Sequence, residues 1–369
     1  MRKLIDLLFK NKIYLAMVLF IIALNALIYV DKRDHRSEVS SEESHSGEKT
    51  KDSEEAFREE ESPASSLFPD EQEIKLRQEK LLALASENPK LYFFLGIFNM
   101  MMLYVIFGGV ILNVILMIRA VRRQPISISG GPPAEAKWTL GDVIRVVLIF
   151  LTSGYAFIIV QALAAPSVPI LYNDNFRMVF NTAVINIVGI SVILYFVRRS
   201  GQGPEALGIT RENTGRNIGY AALGYLALIP VLLVIMLLTY QVTRIFHYEP
   251  PVQPIVEVFM KEKETSVLVL STIFAAVFGP VAEEIFFRGF MYPAVRKSTG
   301  RIPAMVITSA VFAFLHAHLV GFLPIFVLGM LLVYLFERTA SIVPSVLVHI
   351  FHNVAMVAFV FVMRAAGIQ

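Results

Sequence analysis

The sequence predicts an all-α, polytopic transmembrane helical bundle of about nine spans, and three observations predict it. Apolar stretches of about 18 or more residues recur along the chain, the length a helix needs to cross a hydrocarbon core about 30 Å thick. Of the 369 residues 56% are hydrophobic, and the mean hydropathy is +0.62, well above the apolar share of an ordinary soluble domain. Basic residues gather on alternate connections between the apolar stretches, as they do where those connections face the cytoplasm.

Residues 1–30 read as an N-terminal membrane anchor, with Arg2, Lys3, Lys10 and Lys12 ahead of a span at about 13 to 30. The apolar core is long and no small-x-small cleavage site comes after it, which favours an uncleaved anchor over a signal peptide. Residues 31–90 carry 17 acidic and 10 basic side chains, a balance of −7 against +3 for the whole chain, which leaves +10 for the rest. This segment is expected to be an acidic, largely disordered extracytoplasmic linker, because its Ser- and Glu-rich part buries too little to fold alone. Its end, residues 70 to 87, has the helical spacing and i,i+4 charge pairs of a short amphipathic helix.

Residues 91–204 are expected to hold spans at about 91 to 118, 143 to 164 and 177 to 197, joined by basic cytoplasmic loops that begin with Arg119, Arg122 and Arg123 and with Arg198 and Arg199. Residues 205–369 are expected to hold five more, at about 218 to 241, 266 to 288, 302 to 318, 319 to 337 and 341 to 363, with Arg296, Lys297 and Arg301 after the second of these. The connections at 173 to 175 and 248 to 264 are poor in Lys and Arg or acidic. The alternation puts the N-terminus in the cytoplasm and the chain in an inner or plasma membrane, with the lipid bilayer as its first partner. Trp138 and Tyr172, near predicted span ends, are expected to anchor at the interface. With no cysteine, disulfides and thiolate metal ligands are excluded. No dinucleotide, P-loop or nucleic-acid motif is present, so no nucleic-acid partner is expected.

Charge inside three of the spans needs a reason, since burying it in lipid costs several kcal/mol unless it faces a protein-lined cavity. Glu283, Glu284 and Arg288 lie in STIFAAVFGPVAEEIFFRGFMY, Phe312 and His316 in VFAFLHAH, and His349, His352 and Asn353 in VLVHIFHN. Glu284 and Arg288 are i,i+4 and can pair on one helix face. Glu283 points about a quarter turn away and is free to face a cavity, where a carboxylate of restricted solvation suits general-base work. Pro280, after Gly279, disrupts the turn before it. His349 and Asn353, again i,i+4, can donate hydrogen bonds to a developing oxyanion. At about 1.5 Å per residue, His349 lies roughly 12 Å and His316 roughly 21 Å in from the cytoplasmic side, with Glu283 near the same half of the membrane.

These residues resemble a known family. Glu283-Glu284-x-x-x-Arg288, Phe312-x-x-x-His316 and His349-x-x-x-Asn353 are similar, in order, to the three motifs of the CAAX protease and bacteriocin-processing family of intramembrane proteases, and the resemblance covers roughly residues 205 to 363. It implies a CAAX-protease-like core in residues 205–369 that cleaves a membrane-associated protein or peptide entering from the cytoplasmic half of the membrane. It further implies that Glu283 activates water with help from His316, that His349 and Asn353 stabilise the oxyanion, and that Glu284 and Arg288 support the site. No cofactor is favoured. A zinc peptidase with His316, His349 and Glu283 as ligands is an alternative, although the spacing lacks HExxH. So is a non-catalytic membrane scaffold or immunity-type protein of the same fold. His318 and His352 match no motif position and read as structural or interfacial.

Overall fold

The computed structural model describes residues 12–26, 75, 79, 86, 89–124, 128, 130–168, 173–248, 253–316 and 319–365. Its regular elements are all helical, with no strand among the described residues. In chain order they are α1 (Lys12–Ala26), α2 (Pro89–Val121), α3 (Leu140–Ala164), α4 (Asp174–Arg199), α5 (Thr214–Ile245), the short α6 (Pro254–Lys261), α7 (Thr265–Thr299), α8 (Arg301–Leu315), α9 (Leu319–Thr339) and α10 (Val343–Ala365). The chain divides into two compact units, residues 16–102 and the remainder. The smaller holds most of α1 and the first part of α2, and the larger holds α3 to α10.

Each of the nine expected spans falls on one of these helices. Seven are long and apolar enough to cross a membrane: α2, α3, α4, α5, α7, α9 and α10. α1 and α8 are shorter among the described residues. α8, at 15 residues, is about 22 Å long, less than the core thickness. The expected linker lies outside the described residues apart from positions 75, 79, 86, 89 and 90, the last two in α2, and Tyr172 and His318 lie outside them too.

Two expectations need correction, and one connection holds a short helix. The span placed at 266 to 288 belongs to a helix that runs on to Thr299, so Arg296 and Lys297 sit in its last turns and not in a loop. Residues 248 to 264 contain α6, whose Val258 and Phe259 are buried, Phe259 packing with Val357 and Val360 of α10. Trp138 is not an interface anchor. It is 1% exposed, stacked on Phe290 with ring centroids 5.3 Å apart, and its indole N–H donates to the Phe290 carbonyl at 2.8 Å. A buried indole needs such an acceptor, and proximity to a span end carries no information about which way the ring turns.

Trp138 belongs to a stretch that closes over the end of the bundle where α7, α9 and α10 meet their connections. Lys297 Nζ donates to the Ala136 carbonyl at 3.1 Å, and the Lys137 N–H to Gln202 Oε1 at 2.7 Å. Beside it, the buried Glu337 of α9 accepts from Tyr292 Oη at 2.8 Å and pairs with Arg296 at 3.3 Å and Arg301 at 3.5 Å, which ties α7, α8 and α9 at one end. Gly208 sits in the same layer with φ +77°, its carbonyl accepting from the Ile342 N–H at 3.0 Å. A Cβ there would come 2.6 Å from Phe336 Cε2, so only glycine serves.

Above this layer α9 lies along α8 and, with α10, against α5. Ala221, Leu228, Leu332, Leu335 and Val348 form the seam between α5, α9 and α10. Between helices in lipid, close packing takes over from the hydrophobic effect. Gly329 of α9 shows it: a Cβ would meet Ser309 Cβ at 3.2 Å and Phe312 Cδ1 at 3.3 Å. Large apolar side chains such as Phe107 and Leu237 are exposed on α2 and α5, the surface expected of helices that meet lipid.

At the opposite end Glu262 joins three helices. Its buried carboxylate accepts from Asn175 Nδ2 of α4 at 2.6 Å and from the N–H groups of Lys263 and Glu264 at 2.8 and 2.9 Å, while Arg364 of α10 donates to the Phe259 and Glu262 carbonyls at 2.7 Å each. The Asn175 bond, followed by the backbone donors, holds the Glu262 carboxyl below the usual carboxylate range. A group lowered in the folded state contributes stability above its unfolded pKa and loses it as pH falls through the folded value. Lowering the pH below about 4 should therefore cost the wild type more melting temperature in detergent than it costs Glu262→Gln. Parallel pH profiles would show that these bonds contribute nothing.

Candidate active site

The site is built on a helix that is not a regular α-helix. α7 is α-helical over Thr265–Ile273, Gly279–Glu284 and Tyr292–Thr299, with wider π turns at Phe274–Phe278 and Ile285–Met291. The Gly279 N–H reaches back five residues to the Phe274 carbonyl, and the Tyr292 N–H does the same to Phe287. A proline comes after each, Pro280 and Pro293. A proline ring collides with the carbonyl four residues before it and offers no N–H, so a turn that opens ahead of it relieves the clash.

The segment between the π turns carries the carboxylates. Glu284 is fully buried and meets Arg288, also fully buried, with Nη1 2.5 Å from Oε1. The same Oε1 accepts from His349 Nδ1 at 2.9 Å, so α10 is tied to α7 through one oxygen. With Glu284 as acceptor, Nδ1 carries the proton, and His349 Nε2 turns toward Glu283, 3.8 Å from its Oε2. Glu283 differs from its neighbour. Its side chain is 37% exposed, and its Oε2 has no hydrogen-bond partner.

Phe312 of α8 organises the other side. It is fully buried, and the Arg288 guanidinium lies 4.5 Å from its ring centroid, a cation–π contact worth about 2 kcal/mol when desolvated. Edge-to-face contacts join it to His316 at 4.7 Å and His349 at 5.6 Å. His316, exposed at the end of α8, donates from Nδ1 to the Phe312 carbonyl at 2.8 Å, which leaves Nε2 as its free nitrogen. Arg288 Nη2 reaches the Gly329 carbonyl at 3.4 Å.

Glu283, Glu284, Arg288 and His349 thus share direct contacts, and Phe312 brings His316 to the group. Asn353 faces the same helix from α10, but its amide donates to the Ala275 carbonyl at 2.8 Å and not to any of these side chains. Sequence reasoning undervalued Phe312, whose i,i+4 relation to His316 was visible, and had no signal for Gly329 or Ala275. His352 turns away toward Tyr225 of α5, with ring centroids 6.2 Å apart.

Residues 265–355, which enclose all six charged and polar positions, match the family model described as type II CAAX prenyl endopeptidase Rce1-like. The chain carries a CAAX protease family domain. No curated protein and no solved structure matches the chain. The CAAX protease domain spans α7 to the middle of α10, and with seven helices able to cross a membrane the chain is an integral, multi-pass membrane protein. As to a metal, His349 Nδ1 bonds to Glu284 and His316 Nδ1 to a backbone carbonyl, which leaves Nε2 of each ring available, and no group of three or more His, Asp or Glu side chains among the described residues is placed to hold an ion.

Proposed function

We propose that the chain is an intramembrane endopeptidase that hydrolyses a peptide bond of a membrane-associated protein or peptide with water activated by Glu283. The observation that carries it is the division of labour between adjacent carboxylates: Glu284 is neutralised by Arg288 and holds His349, while Glu283 is partly exposed, its buried Oε2 lying beside the same imidazole without a hydrogen-bond partner. In this reading Glu283 takes a proton from water as its oxygen attacks the carbonyl carbon, and the proton passes to the leaving amine as the C–N bond breaks. His316 helps to place the water through its free Nε2. The His349 imidazole and the second N–H of the Asn353 amide are the groups on α10 that would stabilise the oxyanion.

The test compares peptide termini in membrane and secreted fractions of cells making the wild type or Glu283→Gln. A terminus present only with the wild type would name the substrate, and identical termini would count against the reading. Stoichiometric zinc, lost in parallel with activity on chelation, would overturn the metal-free mechanism. The alternating basic clusters support an orientation in an inner or plasma membrane with the N-terminus in the cytoplasm and substrate entering from the cytoplasmic half. Reporters fused after Arg123 and Arg199 should read cytoplasmic and one near Glu60 extracytoplasmic; a cytoplasmic signal at Glu60 would reverse the map.

A further inference from the structure

Pro280 leaves a carbonyl without its partner, and Asn353 supplies one. In the Phe274–Phe278 turn the Gly279 N–H donates to Phe274, five residues back. The next position in that register would donate to Ala275, but it is Pro280, which has no N–H. The Ala275 carbonyl accepts from Asn353 Nδ2 at 2.8 Å, across 78 residues of chain. In a bilayer core an unmet backbone carbonyl is costly, and a side chain from a neighbouring helix is one of the few groups able to meet it.

We propose that Asn353 is a positioning residue that stands in for the N–H missing at Pro280, holds the π turn open, and so sets the rotation at which Glu283 and Glu284 leave it. A π turn carries one residue more than an α turn, and closing it would rotate everything beyond by about 100°. Both carboxylates lie just beyond, Glu283 aimed at His349 Nε2 and Glu284 bonded to His349 Nδ1. Asn353 stands one helical turn after His349 on α10, so the face that receives the two carboxylates also holds the turn that aims them. The contact between Asn353 and Ala275 stands by itself; only its effect on rate rests on the proposed role of Glu283.

A double-mutant cycle on the full-length protein in detergent tests this, because Pro280→Ala restores a backbone donor. Asn353→Leu keeps most of the volume and offers no donor. The expected result is that Asn353→Leu lowers the melting temperature by about 2 to 4 °C in the wild type and by less than half as much in the Pro280→Ala background. Equal losses in both would overturn the proposal. The second readout is kcat on a prenylated peptide with a C-terminal CAAX sequence. Asn353→Leu should cost about 10²-fold alone and about tenfold or less beside Pro280→Ala, whereas a residue acting only on the oxyanion would cost the same in both. If Asn353→Leu alone fails to fold, recovery of folded protein in the double variant is the expected result, and no recovery counts against the proposal. Failure of the wild type to cleave the peptide would exclude prenylated CAAX peptides as its substrate, and the melting cycle would still decide the role of Asn353.

Discussion

Glu283→Gln is expected to lower the rate of peptide cleavage by at least ~10² while expression and detergent melting stay nearly unchanged. The substitution keeps the shape of the side chain and removes its ability to take a proton. Nothing in the packing opposes it. Glu283 is partly exposed, its buried Oε2 has no hydrogen-bond partner, and His349 Nε2 is 3.8 Å away, too far for a bond that folding depends on. Loss of one charge beside the Glu284–Arg288 pair disturbs no contact of that pair. Turnover and melting measured on the same preparation separate the two effects. A variant that cleaves at the wild-type rate but melts far lower would make Glu283 a structural residue.

Arg288→Ala should do the opposite, costing about 3 to 5 kcal/mol of stability, the loss typical when one member of a buried ion pair is removed. Three contacts go at once: the bond to Glu284, the reach to the Gly329 carbonyl, and the face of Phe312. Glu284 would be left fully buried with only His349 to balance it, and its Oε2 already has no partner. The double variant Glu284→Gln with Arg288→Met should recover a large part of the loss, because an uncharged pair of similar volume escapes the desolvation that the ions bear, and Gln can still accept from His349 Nδ1. Chemical unfolding in detergent checks both. A double variant no more stable than Arg288→Ala would show that the pair is needed as charge and not merely as volume.

Much of the fold was legible because the bilayer imposes long apolar runs, and each of the nine runs falls on a helix. The contact between Glu284 and Arg288 was legible too, since i,i+4 spacing on a helix implies it. What escaped the sequence depends on contacts between distant segments. Pro280 announced a disturbed turn, but the carbonyl it orphaned is met by a residue 78 positions away. Trp138 lies at a span end like any interfacial tryptophan, and only the fold reveals that Phe290 covers it. The length of α7 escaped because Arg296 and Lys297 look like loop residues, while Glu337 of another helix draws Arg296 into the structure.

Phe312 has a consequence for heredity. One buried ring touches Arg288, His316 and His349, three side chains from three helices that share little else in sequence. Groups that lean on a common neighbour do not respond independently when they change, and interaction energies of about 0.5 to 3 kcal/mol are usual among them. Variation at these positions is therefore epistatic: the effect of any allele at 288, 316 or 349 depends on which residue stands at 312. A lineage that altered the ring would have to find its replacements at the other three together, since no one of them could be improved alone without disturbing the surface the remaining two rest against.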